Sequence, residues 1–189
     1  MISRDGWIRT GLALAILGGA AWAAQGPARG TAGDPFCSGD GGLGVACPGM
    51  NMGDRGHGCA NSYTPGGLLH AKGEALLSAD SMQLMVEGLP PGVPLMYLQS
   101  TDELRRGTGV VFGDGILCLA GTFERLGVGR SSRFGTYTMP DGRHGLGVLG
   151  AIPRNGGVRY YQVWYRDPGR FATPDSWNLT NGWATTWAP

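Results

Sequence analysis

Apolar and polar side chains alternate in short runs along most of this chain. In Ser81–Leu89, Met82, Leu84 and Val86 alternate with Gln83, Met85 and Glu87. A period of two is the mark of a strand with one buried face. Val158–Arg166 repeats the pattern most clearly, with Tyr161, Val163 and Tyr165 on one face and Tyr160 and Trp164 on the other. Gly182–Ala188 places Trp183, Thr185 and Trp187 on one side, after an Asn181-Gly182 turn. Further strands are expected at Pro94–Gln99, Val110–Phe112, Ile116–Leu119, Phe123–Val128, Phe134–Met139 and Leu146–Ile152. Leu68–Leu77 is ambiguous by pattern, and Gly73 inside it favours a strand. Gly113-Asp114-Gly115 lies between two of these runs, and Asp-Gly is a strong hairpin signal.

No helical period alternates with these strands, so a parallel α/β sheet is not expected. About eight or nine short strands between residues 64 and 189 predict an all-β fold. The expected architecture is an antiparallel β-sandwich, jelly-roll or immunoglobulin-like. Its expected parts are a signal peptide over 1–23, a glycine- and cysteine-rich extension over 24–63 and the sandwich domain over 64–189.

Composition sharpens this picture. Of 189 residues, 36 are glycine, against about 7% in average proteins. Glycine costs about 1 kcal/mol relative to alanine inside a helix, which argues against a helical bundle. There is no glycine triplet period, which excludes collagen. Residues 24–63 hold eleven of the glycines and few apolar side chains. Such a segment buries too little surface to offset the entropy of ordering it. It also holds Cys37, Cys47 and Cys59, and the fourth cysteine, Cys118, lies in a strand-like run. Disulfide stapling is the expected remedy, with Cys118 tying the extension to the sheet. Four cysteines allow three pairings, and spacing does not choose among them.

The N-terminus carries Arg4 and Arg9, then an apolar run over Gly11–Ala20, then Ala21-Trp22-Ala23. The run is shorter than the ~20 residues that span a bilayer. The order is that of an export signal cleaved after Ala23. No later run is long and apolar enough to cross a membrane, so none is expected in the mature chain. Removing residues 1–23 leaves 13 basic (15 − 2) and 13 acidic (14 − 1) side chains. That balance argues against nucleic acid as a partner, which requires a dense positive field. Charge is nonetheless uneven, with ten arginines and four acids between Leu104 and Arg170. Such an excess suits a phosphate or an acidic glycan, or is simply a solvated face.

Candidate chemistry is sparse. His57 lies near Cys37, Cys47 and Cys59, but there is no tight CxxC knuckle, and disulfides are preferred over zinc in an exported chain. Ser38-Gly39-Asp40-Gly41-Gly42 and Asp54-Arg55-Gly56 lack the ligand pattern of an EF-hand. No metal and no cofactor is expected. Hydrolase motifs are missing: there is no Gly-x-Ser-x-Gly elbow, Ser131-Ser132 has no evident base, and His70 and His144 stand alone. No catalytic residue is assigned. Aromatics are the remaining lead. Trp164, Trp177, Trp183 and Trp187 crowd the last 26 residues with Tyr160, Tyr161, Tyr165 and Phe171. Such rings either fill a core or stack on sugars. Trp177, Trp183, Trp187 and Tyr165 are the candidate ligand-binding residues. Asn178-Leu179-Thr180 is a formal glycosylation acceptor.

Phe36-Cys37-Ser38-Gly39-Asp40-Gly41, Ala46-Cys47-Pro48, Asn51-Met52-Gly53 and Gly56-His57-Gly58-Cys59-Ala60-Asn61-Ser62 resemble a module of uncharacterised exported bacterial proteins, FCxGDG…CPCGNxGxxGxGCANS. The resemblance continues through Phe112–Cys118 and Tyr160–Pro168 to Asn178–Gly182. It implies a β-rich exported protein and no reaction. Gly49 replaces the module's second CPC cysteine, and Ala172 stands where another is expected. The resemblance thus implies that one bridge is lost whole and that the remaining four cysteines form two.

The function expected is that of an exported, non-enzymatic β-sandwich acting as a cell-surface or extracellular interaction module. The partner would be a surface protein or a glycan. The alternatives are a carbohydrate-binding domain using the C-terminal aromatics, and a secreted hydrolase without a recognisable motif.

Overall fold

A computed structural model describes residues 31–42, 45–169 and 173–189. The signal-peptide reading, Phe171 and Ala172 lie outside these. Among the described residues eleven strands and one short α-helix follow in order, with a 3-10 turn at Pro48–Met50: β1 Asp34–Phe36, β2 Leu68–Lys72, β3 Gln83–Glu87, β4 Pro94–Glu103, β5 Val110–Phe112, β6 Gly115–Leu117, β7 Leu119–Arg130, β8 Tyr137–Met139, α1 Leu146–Leu149, β9 Gly157–Arg166, β10 Trp177–Leu179 and β11 Gly182–Trp187. All strand pairs are antiparallel. The larger sheet runs β1-β11-β9-β4-β7, with β10 also against β9; the smaller runs β2-β3-β8; β5 and β6 form a hairpin.

The two sheets form a sandwich with one core. The smaller sheet contributes Leu69, Leu84, Val86 and Met139, and the larger Leu95, Tyr97, Tyr161, Val163, Tyr165, Trp183 and Trp187. Leu84, Val86, Tyr161, Val163, Tyr165, Trp183 and Trp187 are residues that the period-two pattern placed on single faces, so alternation and burial coincide along β3, β9 and β11. A second apolar cluster lies on the opposite face of the larger sheet. Cys37, Cys47, Cys59, Ile116 and Cys118 form it, with Phe36 and Val45 against them. The molecule is therefore built as small sheet, large sheet and cysteine-rich layer.

Both disulfides belong to that third layer. Cys37 pairs with Cys118 across 81 residues, and Cys47 with Cys59 across 12. Cys118 thus ties the extension to the sheet. Gln162 joins the layers: it is fully buried on the outer face of β9, its Oε1 accepts from Cys118 N, and its Nε2 donates to the Ile116 and Thr180 carbonyls.

Two expectations are corrected. Leu146–Ile152 is not a strand; it opens with α1. A strand would put Val148 on the same face as Leu146, yet Val148 is exposed while Leu146, Leu149 and Ile152, spaced by three, meet the core. The Asp80 carboxylate accepts from Gly147 N at 2.8 Å and holds the first turn. Asn181-Gly182 is not a turn either. β10 and β11 both run antiparallel to β9, and the register moves by one residue between Leu179↔Trp164 and Trp183↔Tyr161. The two form one strand broken by a bulge.

Candidate functional site

The outer face of the larger sheet is only partly covered. Directly opposed residues of an antiparallel pair share a face, so register fixes what that face presents. One row reads Val128, Met96, Trp164, Leu179; the next reads Arg130, Pro94, Arg166, Trp177. On the other side of the first row lie Arg125, Leu98 and Gln162, and then Phe123, Ser100 and Tyr160. The β10 side of these rows is roofed by the β5–β6 hairpin and the cysteine-rich layer. Asp114 N donates to the Trp177 carbonyl, and a Cβ on Gly115 would meet Asn178 and Leu179. Leu179 is consequently buried.

Among the described residues the β7 side has no such roof. Val128 is 66% and Phe123 46% exposed. Met96, Leu98 and Trp164 are partly exposed, and Arg125, Arg130 and Arg166 are fully on the surface. The open patch runs from Pro94 to Ser100 along β4 and three strands across. That is roughly 20 Å by 10 Å at ordinary strand dimensions. A bulge makes this face possible. The β4–β7 register slips between Tyr97 and Leu98, leaving Leu126 as the extra residue. Leu126 turns into the core, so Arg125 and Val128 both face outward. Gly127 and Gly129 face the small sheet, where a Cβ on Gly129 would lie 2.4 Å from the Tyr137 ring.

The residues expected to bind a ligand are placed elsewhere. Tyr165 is 0%, Trp187 2% and Trp183 9% exposed. Tyr165 accepts a hydrogen bond from Asn61 Nδ2, Trp187 Nε1 donates to Tyr161 Oη, and Trp183 Nε1 donates to the Ala32 carbonyl. These rings fill the sandwich and offer no free face for stacking. Trp177 is partly buried under the hairpin, against Phe112, with ring centroids 5.8 Å apart. Trp164, set apart from the core face by the alternation of β9, is the tryptophan that the open patch presents.

A separate cleft of about 490 Å³ lies where the extension meets the end of β4, with Phe36, Asp40, Glu103 and Arg106 in its wall. Asp40 holds the extension's loop in shape. Its two oxygens accept from Gly56 N and Gly42 N, which keeps its carboxyl below the ordinary carboxylate value. Tyr137 donates to the Asp141 carboxylate; that bond and partial burial push its hydroxyl pKa up to about 12.

The metal readings meet a different chemistry. All four cysteines are oxidised, which removes the thiolates a zinc site would use. Among the described residues no group of three or more His, Cys, Asp and Glu is placed to hold a metal ion. His57 Nδ1 bonds the Gly66 carbonyl at 2.8 Å, and Ser131 Oγ donates to the Pro90 carbonyl. Asn178 is fully buried, with its amide donated to the Ala60 carbonyl, so the formal glycosylation acceptor is closed in the folded chain. Among the described residues no helix is long and apolar enough to cross a membrane. No family model, no curated protein and no solved structure matches this chain.

Proposed function

We propose that this protein is an exported, non-enzymatic β-sandwich that acts as an extracellular interaction module. The observation that carries this reading is the open half of the larger sheet's outer face. It presents a tryptophan, four other apolar side chains and three arginines with no covering element among the described residues. Two disulfides support export, because such bonds persist in oxidising compartments and are rare in the cytosol. The order of basic, apolar and small residues over 1–23 supports the same compartment.

The test is to express the full chain in an exporting bacterial host and recover it from outside the cytoplasm. N-terminal sequencing should start at Ala24. The recovered protein is then passed over immobilised glycans and cell-surface polymers, with Trp164→Ala beside it. Retention that the variant loses is the expected result. Retention of the chain in the cytoplasm, or turnover of an ester, peptide or glycoside substrate, would overturn the reading.

A further inference from the structure

We infer that the open outer face binds a linear acidic polysaccharide, with Trp164 as the stacking platform and Arg125, Arg130 and Arg166 as the anion-binding groups. This rests on the reading of that face as the binding surface and adds the chemistry of its ligand. Trp164 stands between two arginine rows: Arg130 and Arg166 on one side, Arg125 on the other. All three arginines are exposed. Arg130 also donates to the Gly92 carbonyl, which orients its guanidinium. Among the described residues no carboxylate stands in the three rows that hold these arginines and Trp164; Asp102 and Glu103 lie beyond Ser100 at the far end of β4, near Tyr160. Glu124 of β7 opposes Gln99, whose side chain points inward to the Gly150 carbonyl near α1. An anion over the Pro94 to Leu98 rows meets three cations, with the acids set at the Ser100 end.

Charge and size together select the ligand class. An indole offers a flat apolar surface to the C–H face of a sugar ring, and guanidinium forks hold carboxylates or sulfates in bidentate fashion. The patch covers roughly 200 Å² in projection. A standard protein partner buries about 800 Å², so the area suits a slender chain. Three arginines fall short of the roughly six to ten phosphate contacts of a strong nucleic-acid binder, and the mature chain has no net positive charge.

The experiment is affinity electrophoresis of the exported protein in gels containing polygalacturonate, fully methyl-esterified polygalacturonate or single-stranded DNA. Folding of each variant is checked by its thermal melt. Polygalacturonate should retard the protein, and the esterified polymer should not. Trp164→Ala and the double variant Arg125→Glu/Arg166→Glu should each weaken retardation by about tenfold or more. Salt at 0.5 M should weaken it further, since exposed ion pairs are screened. The double variant lies wholly on the surface, so it keeps the test open if Trp164→Ala melts early. Equal retardation by the esterified polymer, lost in Trp164→Ala, would overturn the acidic ligand while leaving the face as the binding surface. Retardation unchanged in both variants would overturn the face itself. DNA binding as strong as polygalacturonate binding, or no retardation by polygalacturonate, would also overturn the proposal.

Discussion

Asn181 shows what a single buried side chain does here. It sits at the bulge between β10 and β11, and its Oδ1 accepts from Leu69 N at 2.7 Å while its Nδ2 donates to the Leu69 carbonyl at 3.0 Å. The amide therefore acts as one more strand residue for β2 and joins the two sheets. Asn181→Ala would leave a buried donor and acceptor unpaired, and the expected loss is about 3 kcal/mol in urea denaturation. The buried tyrosines make a second prediction. Burial holds the Tyr97, Tyr161 and Tyr165 hydroxyls protonated well above the ordinary 10.0. The folded pKa is raised, so this contribution to stability is complete below pH 10 and declines as pH rises above it. In an alkaline titration the tyrosinate absorbance of these three should therefore appear only with loss of tertiary structure. Ionisation of all six tyrosines with the fold intact near pH 10 would contradict it.

At the scale of elements, close backbone contact explains much of the glycine. The extension is seated on β10 through Gly58, where a Cβ would lie 2.2 Å from the Leu179 carbonyl oxygen and 2.9 Å from Thr180. Both neighbours are backbone and cannot turn aside. Gly58→Ala should lower stability by about 2–3 kcal/mol and raise hydrogen exchange in residues 51–66, measured amide by amide. Glycine, asparagine and cysteine do most of the building in this segment. Asn51 Nδ2 donates to the Ala60 and Asp114 carbonyls, and Asn61 collects Tyr63 N, Thr64 N and the Gly88 carbonyl. The glycines, asparagines and cysteines between residues 36 and 62 are thus largely those that shape the third layer. Edge protection also belongs to this scale. β7 is an edge strand, and its two register breaks and its arginines discourage pairing with another chain.

For the whole molecule, the long disulfide is the decisive constraint. Closing 81 residues between Cys37 and Cys118 lowers the entropy of the unfolded chain by the equivalent of about 4 kcal/mol. The double variant Cys37→Ala/Cys118→Ala should lose that amount, and its melting temperature should fall by several degrees. The variant lacking Cys47–Cys59 closes only a 12-residue separation and should lose about 3 kcal/mol. If the short bridge cost more than the long one, native-state packing rather than loop closure would be its main contribution.

The alternation of apolar side chains by itself determined the all-β class, the positions of β3, β4, β5 and β9, and the core faces of β3, β9 and β11. This follows because a half-buried strand writes its burial into every second residue. Cysteine count and glycine density determined that the extension needs stapling. Pairing required the tertiary structure, since spacing does not say which sulfurs meet. Leu146–Ile152 was misread because a four-residue helix among glycines is too short to display its period. The open face was half legible: Trp164 stood off the core face of β9, and the arginine excess was visible. That Arg125, Arg130, Arg166 and Trp164 share one surface was decided by the neighbour order β7-β4-β9 and by the bulge at Leu126. Strand order is a long-range contact between separated segments, and it leaves no local mark on any of them.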